Sequence, residues 1–222
     1  MTESGIWAVV PIKEMSGAKQ RLAGVLAPHQ RRALVEAMAE DVLAMLVRVR
    51  GLADIVVGTV DPVAIGLAKR FGARVLGEGA RDGHTRAVAA AARILGREGR
   101  SGMLTLPADI PGAIAAEVEA VLAAHRPAPS FTIVPAHDGR GSNAVLVSPP
   151  DAVPLSFGND SFLPHLQNAR RRGIEPAVLR LPGLGLDLDN PADLAMIADM
   201  QPLLSSRTRQ LLMALRDVCG LV

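Results

Sequence analysis

Short apolar runs and stretches of helical period take turns through the first two-thirds of this 222-residue chain, and few architectures tolerate that rhythm. Ile6-Trp7-Ala8-Val9-Val10-Pro11 reads as a buried strand closed by proline. From residue 28 to 49 apolar residues return every three or four positions, at Leu34, Met38, Val42 and Met45 or Leu46, the spacing of one helix face. Ile55-Val56-Val57-Gly58 reads as a second strand, and Asp61-Pro62 opens a helix. Ala73-Arg74-Val75-Leu76 makes a third strand, and the alanine-rich run 86–95 a further helix. Met103-Leu104-Thr105-Leu106 is a fourth strand, ahead of a helix over 113–124. Strands separated by helices imply an α/β fold, a largely parallel sheet covered on both faces.

The remainder is richer in strands and less regular. Runs at 131–134 and 144–147 read as a strand pair around a turn-rich loop, 137–142. A helix over 161–172 follows despite Pro164, then a strand at 177–179. Pro191 sits near the start of a helix running to about Met200, with Asn190 or Asp189 as its cap. A closing helix spans about 203–218. With no repeat and no low-complexity linker, residues 1–222 are expected to form a single domain with that last helix appended.

Composition excludes several functions. Aromatic residues are 2% of the chain, with Trp7 alone and no tyrosine, too few for stacking single-stranded nucleic acid. A formal charge of +2, with Arg31-Arg32 and Arg170-Arg171-Arg172 as the tight basic clusters, points to neither nucleic acid nor an anionic membrane. Cys219 is the single cysteine, so no intramolecular disulfide forms, and no apolar segment is long enough to span a bilayer. The chain enters a strand-like run almost at once, without the cationic and apolar stretches of a secretion signal. A cytoplasmic setting is expected.

Ligands of open parallel sheets sit beyond the carboxyl ends of the strands. Lys13, Asp109 and Thr59 are expected there. Asp109 closes Leu104-Thr105-Leu106-Pro107-Ala108-Asp109, just past an apolar run. In Leu186-Asp187-Leu188-Asp189 an extended backbone would point both acids the same way. Like charges so close repel, and a divalent cation relieves the conflict; carboxylate oxygens suit magnesium or manganese. The loop after the first strand holds Lys13, Gly17, Lys19 and Arg21, with two of the chain's three lysines. Its amides and cations can cradle a polyphosphate, although it is neither a Walker A loop nor a Gly-x-Gly-x-x-Gly turn. Simpler roles stay open: a solvated loop for this segment, and helix caps for Asp109 and Asp189.

Two more segments are dense in small polar residues: Gly139-Arg140-Gly141-Ser142-Asn143-Ala144 and Ser156-Phe157-Gly158-Asn159-Asp160-Ser161-Phe162. Ser161 opens a helix, whose free amides favour anions. A hairpin turn and an ordinary cap are the alternatives. His29, His84, His125, His137 and His165 show no metal-ligand spacing, and no Gly-x-Ser-x-Gly elbow is present.

Assembled in order from about residue 6 to 197, these motifs resemble the CofC/FbiD guanylyltransferases of coenzyme F-420 biosynthesis. Trp7 to Lys13, Ala18 to Leu22, Pro107 to Pro111, Gly141 to Ala144, Phe157 to Phe162 and Leu186 to Leu194 carry the likeness. The resemblance implies a three-layer sandwich with a mostly parallel mixed sheet, like the nucleotide-diphospho-sugar transferases, often dimeric. It implies a GTP-dependent nucleotidyltransferase that joins GMP to 2-phospho-L-lactate, phosphoenolpyruvate or 3-phospho-D-glycerate and releases pyrophosphate. Asp109, Asp187 and Asp189 match the acids that hold magnesium or manganese. Ser142, Asn143, Gly158 and Ser161 fall where the acid is bound, Lys13, Lys19, Arg21 and Gly83 on the nucleotide side. Lys19, Arg21 and Asp109 would carry the chemistry. Two departures stand out: Ser142 replaces a usual threonine, and Gly83-His84-Thr85 replaces Gly-Leu-Asn or similar. A molybdopterin-type nucleotidyltransferase, a metal-dependent glycosyltransferase and a non-catalytic nucleotide sensor are the rival readings.

Overall fold

The structure is a computed structural model that describes residues 5–158, 160–199 and 206–219. Seven strands form one sheet: β1 Ile6–Pro11, β2 Leu52–Gly58, β3 Arg74–Leu76, β4 Gly102–Thr105, β5 Ser130–Pro135, β6 Ser142–Ser148 and β7 Ala177–Val178. Their order is β3-β2-β1-β4-β6-β5-β7. The first four strands run parallel, and β5 and β7 run the same way, while β6 is antiparallel to both neighbours, β4 and β5. The expected mostly parallel mixed sheet is therefore present, and the 131–134 and 144–147 runs pair as read.

Alternation along β1 explains the layers. Ala8 and Val10 face a core built with α1 (Pro28–Leu46), α2 (Pro62–Arg70) and α4 (Ala115–Ala124). Trp7 and Val9 face the opposite core, filled by α3 (His84–Arg97) and α5 (Phe162–Arg171). Successive strand side chains point to opposite sides, so one apolar run supplies both layers. Helices start where the sequence marks them: Asp61 accepts from the amides of Val63 and Ala64 at 2.8 and 3.1 Å, capping α2.

A third cluster lies at the carboxyl end of the sheet. Leu22, Leu26, Leu34 and Met38 pack with Leu186, Leu188, Ile197 and Leu215. These residues join the loop after β1 and α1 to the segment 186–188, which follows a short helix α6 (Pro182–Gly185), and to α7 (Pro191–Asp199) and α8 (Ser206–Cys219). α8 is the appended helix, held to α1 by Asp41, which accepts from the amides of Arg207 and Thr208. The start of that helix near residue 203, Met200 and Asn159 lie outside the described residues. α6 has no counterpart in the sequence reading, since Pro182-Gly183-Leu184-Gly185 carries no helical period. It forms because the buried carboxylate of Glu117 accepts from the amides of Gly183 and Leu184 at 2.9 and 2.7 Å.

Candidate active site

Three acids distant in sequence meet beyond the carboxyl ends of β1 and β4. Asp109 follows β4 after Leu106, whose amide donates to the Val9 carbonyl of β1. The Leu188 amide donates to the Asp109 carbonyl at 2.9 Å, stitching the 186–189 segment beside it. Leu186 and Leu188 are buried in the third apolar cluster, so Asp187 and Asp189 turn to the other side, into a cavity that Asp109 also lines. Burying those two leucines, worth about 1.5–3 kcal/mol each, fixes the register. A slip by one residue would bury the acids instead.

Lys19 is the cation at their centre. Its ammonium lies 2.5 Å from Asp109 Oδ2 and 2.7 Å from Asp189 Oδ1, with the side chain buried, and Arg21 reaches Asp189 at 3.5 Å. Burial opposes the charge on Lys19, but Asp109 and then Asp189 outweigh it and hold its pKa above the ordinary lysine value. Lys19 has a left-handed backbone, φ 53°, which costs an L residue about 1–2 kcal/mol. The double ion pair sustains this strain, which is common at functional sites. The rest of the loop is anchored by buried Leu22 and Met15, and the Met15 amide donates to Asp61 at 3.0 Å.

Asp187 accepts from the Asn143 amide at 3.1 Å. Burial raises its pKa above the ordinary carboxylate value, and Asp109 and Asp189 add to that against the Asn143 bond. Asp109 Oδ1 is buried and has no hydrogen-bond partner. Among the described residues no three His, Cys, Asp or Glu side chains are gathered as a metal site would need. The cation shared by Asp109 and Asp189 is the Lys19 ammonium.

Across the cavity stands a hydroxyl pair. Ser142 opens β6, and Ser161 precedes α5; Ser161 Oγ donates to Ser142 Oγ at 3.2 Å rather than capping its helix. His165 Nδ1 lies 2.9 Å from Ser142 Oγ, and Nε2 accepts from the Ser156 amide at 2.9 Å. Burial lowers the His165 pKa to about 4, so the ring is neutral at pH 7. The 139–141 loop is both the β5–β6 turn and a cavity wall, tied to α5 by the Phe162 amide on the Arg140 carbonyl. Gly158 lines the same wall.

Two cavities of about 580 and 510 Å³ adjoin here. The first holds Ser142, Asn143, Gly158, Ser161, Asp187 and Arg140; the second runs along the β1 loop from Pro11 to Arg21. Lys13, Arg21, His84, Pro107, Asp109 and Asp189 line both.

Most residues expected from sequence therefore converge. Gly83 does not: it lines neither cavity, and its neighbour His84 lines both. Thr59 is outside as well, its hydroxyl accepting from the Asp61 amide. Neither Asp109 nor Asp189 caps a helix; Asn190 Oδ1 accepts from Ala192 and Asp193 at the start of α7. Three residues escaped the sequence reading. Buried Asp193 accepts from the amides of Asp189 and Asn190 at 2.7 and 2.8 Å and shapes the turn that aims Asp189. The His84 ring lies 4.4 Å from that of Phe157, tilted by 42°, with Nε2 buried and unpartnered. Its pKa falls to about 4 through burial, with Asp109 opposing and Lys13 assisting. His165 is the third. The unusual Gly83-His84-Thr85 triplet was the signal for His84; Asp193 and His165 gave none.

Comparison with known proteins identifies the family and the fold. The sequence model of a family described as "Guanylyl transferase CofC like" matches residues 6–210. A phosphoenolpyruvate guanylyltransferase of Rubrobacter xylanophilus is 40% identical over 199 residues, covering 86% of this chain and 93% of that protein. A 3-phospho-D-glycerate guanylyltransferase of Colwellia psychrerythraea is 37% identical over 202 residues, covering 91% and 93%. Among solved structures, one described as a nucleotide-diphospho-sugar transferase from Desulfovibrio desulfuricans G20 superposes with a TM-score of 0.78. It covers 98% of this chain and 97% of its own at 19% identity, a likeness of fold.

Proposed function

The chain belongs to the family of CofC-like guanylyl transferases, and from that membership we propose that it moves GMP from GTP onto the phosphate of a three-carbon acid. The acid is phosphoenolpyruvate, 3-phospho-D-glycerate or 2-phospho-L-lactate. We extend the proposal to a cytoplasmic setting, as the composition suggests, and to a homodimer working in coenzyme F-420 biosynthesis, as the sequence resemblance implies. Among the described residues no helix is long and apolar enough to cross a membrane.

One observation supports the reading: two adjoining cavities, the first of them mainly polar, share a junction lined by Lys13, Arg21, Asp109 and Asp189. Joining two phosphates requires two anion sites whose contents touch at one point, and cavities that share these lining residues favour that reading. Ser142, Asn143, Gly158 and Ser161 would hold the acid, and Lys13, Lys19 and Arg21 the triphosphate. An oxygen of the acid's phosphate attacks the α-phosphorus of GTP. The bond from that phosphorus to the bridging oxygen breaks, and pyrophosphate leaves with the electron pair. A phosphate oxygen is already ionised at neutral pH, so no general base is required. The protein's contribution is positioning and charge neutralisation.

Magnesium or manganese suits the donor set, because hard carboxylate oxygens surround the junction and Asp109 Oδ1 is buried without a partner. Asp109, Asp187 and Asp189 are not gathered around a cation site as they stand, and would hold the ion only after drawing together and giving up the Lys19 ammonium that Asp109 and Asp189 share. When bound it would neutralise charge on the reacting phosphates.

The test is incubation with GTP, magnesium and each acid in turn, with pyrophosphate as readout and ATP alongside. Acid-dependent pyrophosphate from GTP supports the reading. Consumption of a sugar nucleotide, or tight GTP binding without product, would replace it with a glycosyltransferase or a sensor.

A further inference from the structure

The Ser156 amide dictates which nitrogen of His165 carries the proton. A backbone N–H can only donate, so its 2.9 Å contact makes Nε2 an acceptor. A neutral ring with a bare Nε2 holds its proton on Nδ1, which lies 2.9 Å from Ser142 Oγ. His165 is wholly buried, and burial keeps it neutral. It must therefore donate to Ser142.

That direction propagates. Ser142 and Ser161 own two hydroxyl protons, and one is spent in the 3.2 Å bond between them. Among the described residues no acceptor takes the other, and both side chains line the first cavity. We infer that His165 is a positioning residue that fixes the Ser142–Ser161 pair as a hydrogen-bond donor toward an anionic oxygen of the acceptor acid. This rests on the reading of that cavity as the acid's site. With the opposite tautomer Ser142 could donate to Nδ1, and the pair would lose the proton that faces an anion. A donor already held in direction costs no reorganisation when the anion arrives.

Two measurements test the inference. Nitrogen-15 NMR of the wild-type imidazoles should find His165 protonated at Nδ1 and bare at Nε2 near pH 7. Protonation at Nε2, or at both nitrogens, overturns it, whether or not the protein turns over. The second uses His165→Leu, which fills the buried space and offers Ser142 no donor. Its KM for the acid should rise about tenfold, the loss expected for one hydrogen bond to a charged group, with the KM for GTP unmoved. On a Ser142→Ala background the same change should add nothing. Equal rises in both KM values, or full additivity on that background, contradict the inference. Absence of turnover in the wild type sinks guanylyl transfer itself and leaves the NMR result to decide the tautomer.

Discussion

The amide of Leu188 and the carbonyl of Asp109 are 2.9 Å apart, and this single backbone bond unites acids that lie 78 residues or more apart in the sequence. It sets Asp187 and Asp189 beside Asp109 at one cavity, while the flanking leucines bury behind them. Lys19 closes the group from the β1 loop. Carboxylate repulsion is thereby met by one buried ammonium, an arrangement ready to exchange partners with phosphate.

Replacing Asp109 tests that group. Asp109→Asn preserves shape and leaves Lys19 its pair with Asp189, so the circular dichroism spectrum should match wild type. Pyrophosphate release should slow about 10²–10³-fold, as for loss of one electrostatic contact to the transition state. Turnover within a factor of a few of wild type would remove Asp109 from the chemistry.

His84 offers a different signature. Its Nε2 is buried without a partner, which costs a folded protein about 1–3 kcal/mol. His84→Leu should raise the thermal midpoint yet lower kcat/KM, because the imidazole lines the junction of both cavities. A fall in both quantities would make His84 a packing residue only.

Asp193 acts at one remove. Its carboxylate holds the amides of Asp189 and Asn190, so Asp193→Ala leaves two donors unsatisfied and frees the turn. We expect a loss of about 1–3 kcal/mol in urea unfolding and a lower kcat. Wild-type kcat in the destabilised variant would show that Asp189 is positioned without it.

Acid sensitivity follows from the buried histidines. Burial lowers the pKa values of His125 and His165 from 6.5 to about 4. A group depressed on folding contributes stability above its unfolded value and loses that contribution as pH falls toward the folded one. Thermal midpoints should therefore drop between about pH 6.5 and pH 4. His125→Gln, distant from the cavities and bonded only to Thr132 and Ser148 among the described residues, should flatten that slope. An unchanged slope would mean that His125 titrates alike in both states.

The parts of this molecule legible from sequence are those with a period or a position. β1 announces its two faces through Trp7 and Val9 against Ala8 and Val10, and Leu186-Asp187-Leu188-Asp189 reveals its acids by the same alternation. Asp109 is marked by standing where an apolar run ends. Thr59 stands at such an end too, yet its hydroxyl serves the Asp61 turn, so position alone misleads. Partnerships across the fold left no local trace. His165 and Ser142 are 23 residues apart, and Lys19 reaches Asp189 across 170. Asp193 lies inside the Leu186 to Leu194 motif with nothing local to mark its hold on the Asp189 turn, and Glu117 gave no hint that it builds α6.

The most direct measurement is phosphorus-31 NMR of the wild-type reaction with GTP, magnesium and phosphoenolpyruvate or 3-phospho-D-glycerate. The account requires a new coupled pair of phosphorus signals, from a diphosphate bridge between GMP and the acid, growing in step with pyrophosphate. GDP with inorganic phosphate, or pyrophosphate with free GMP and an unaltered acid, would contradict it.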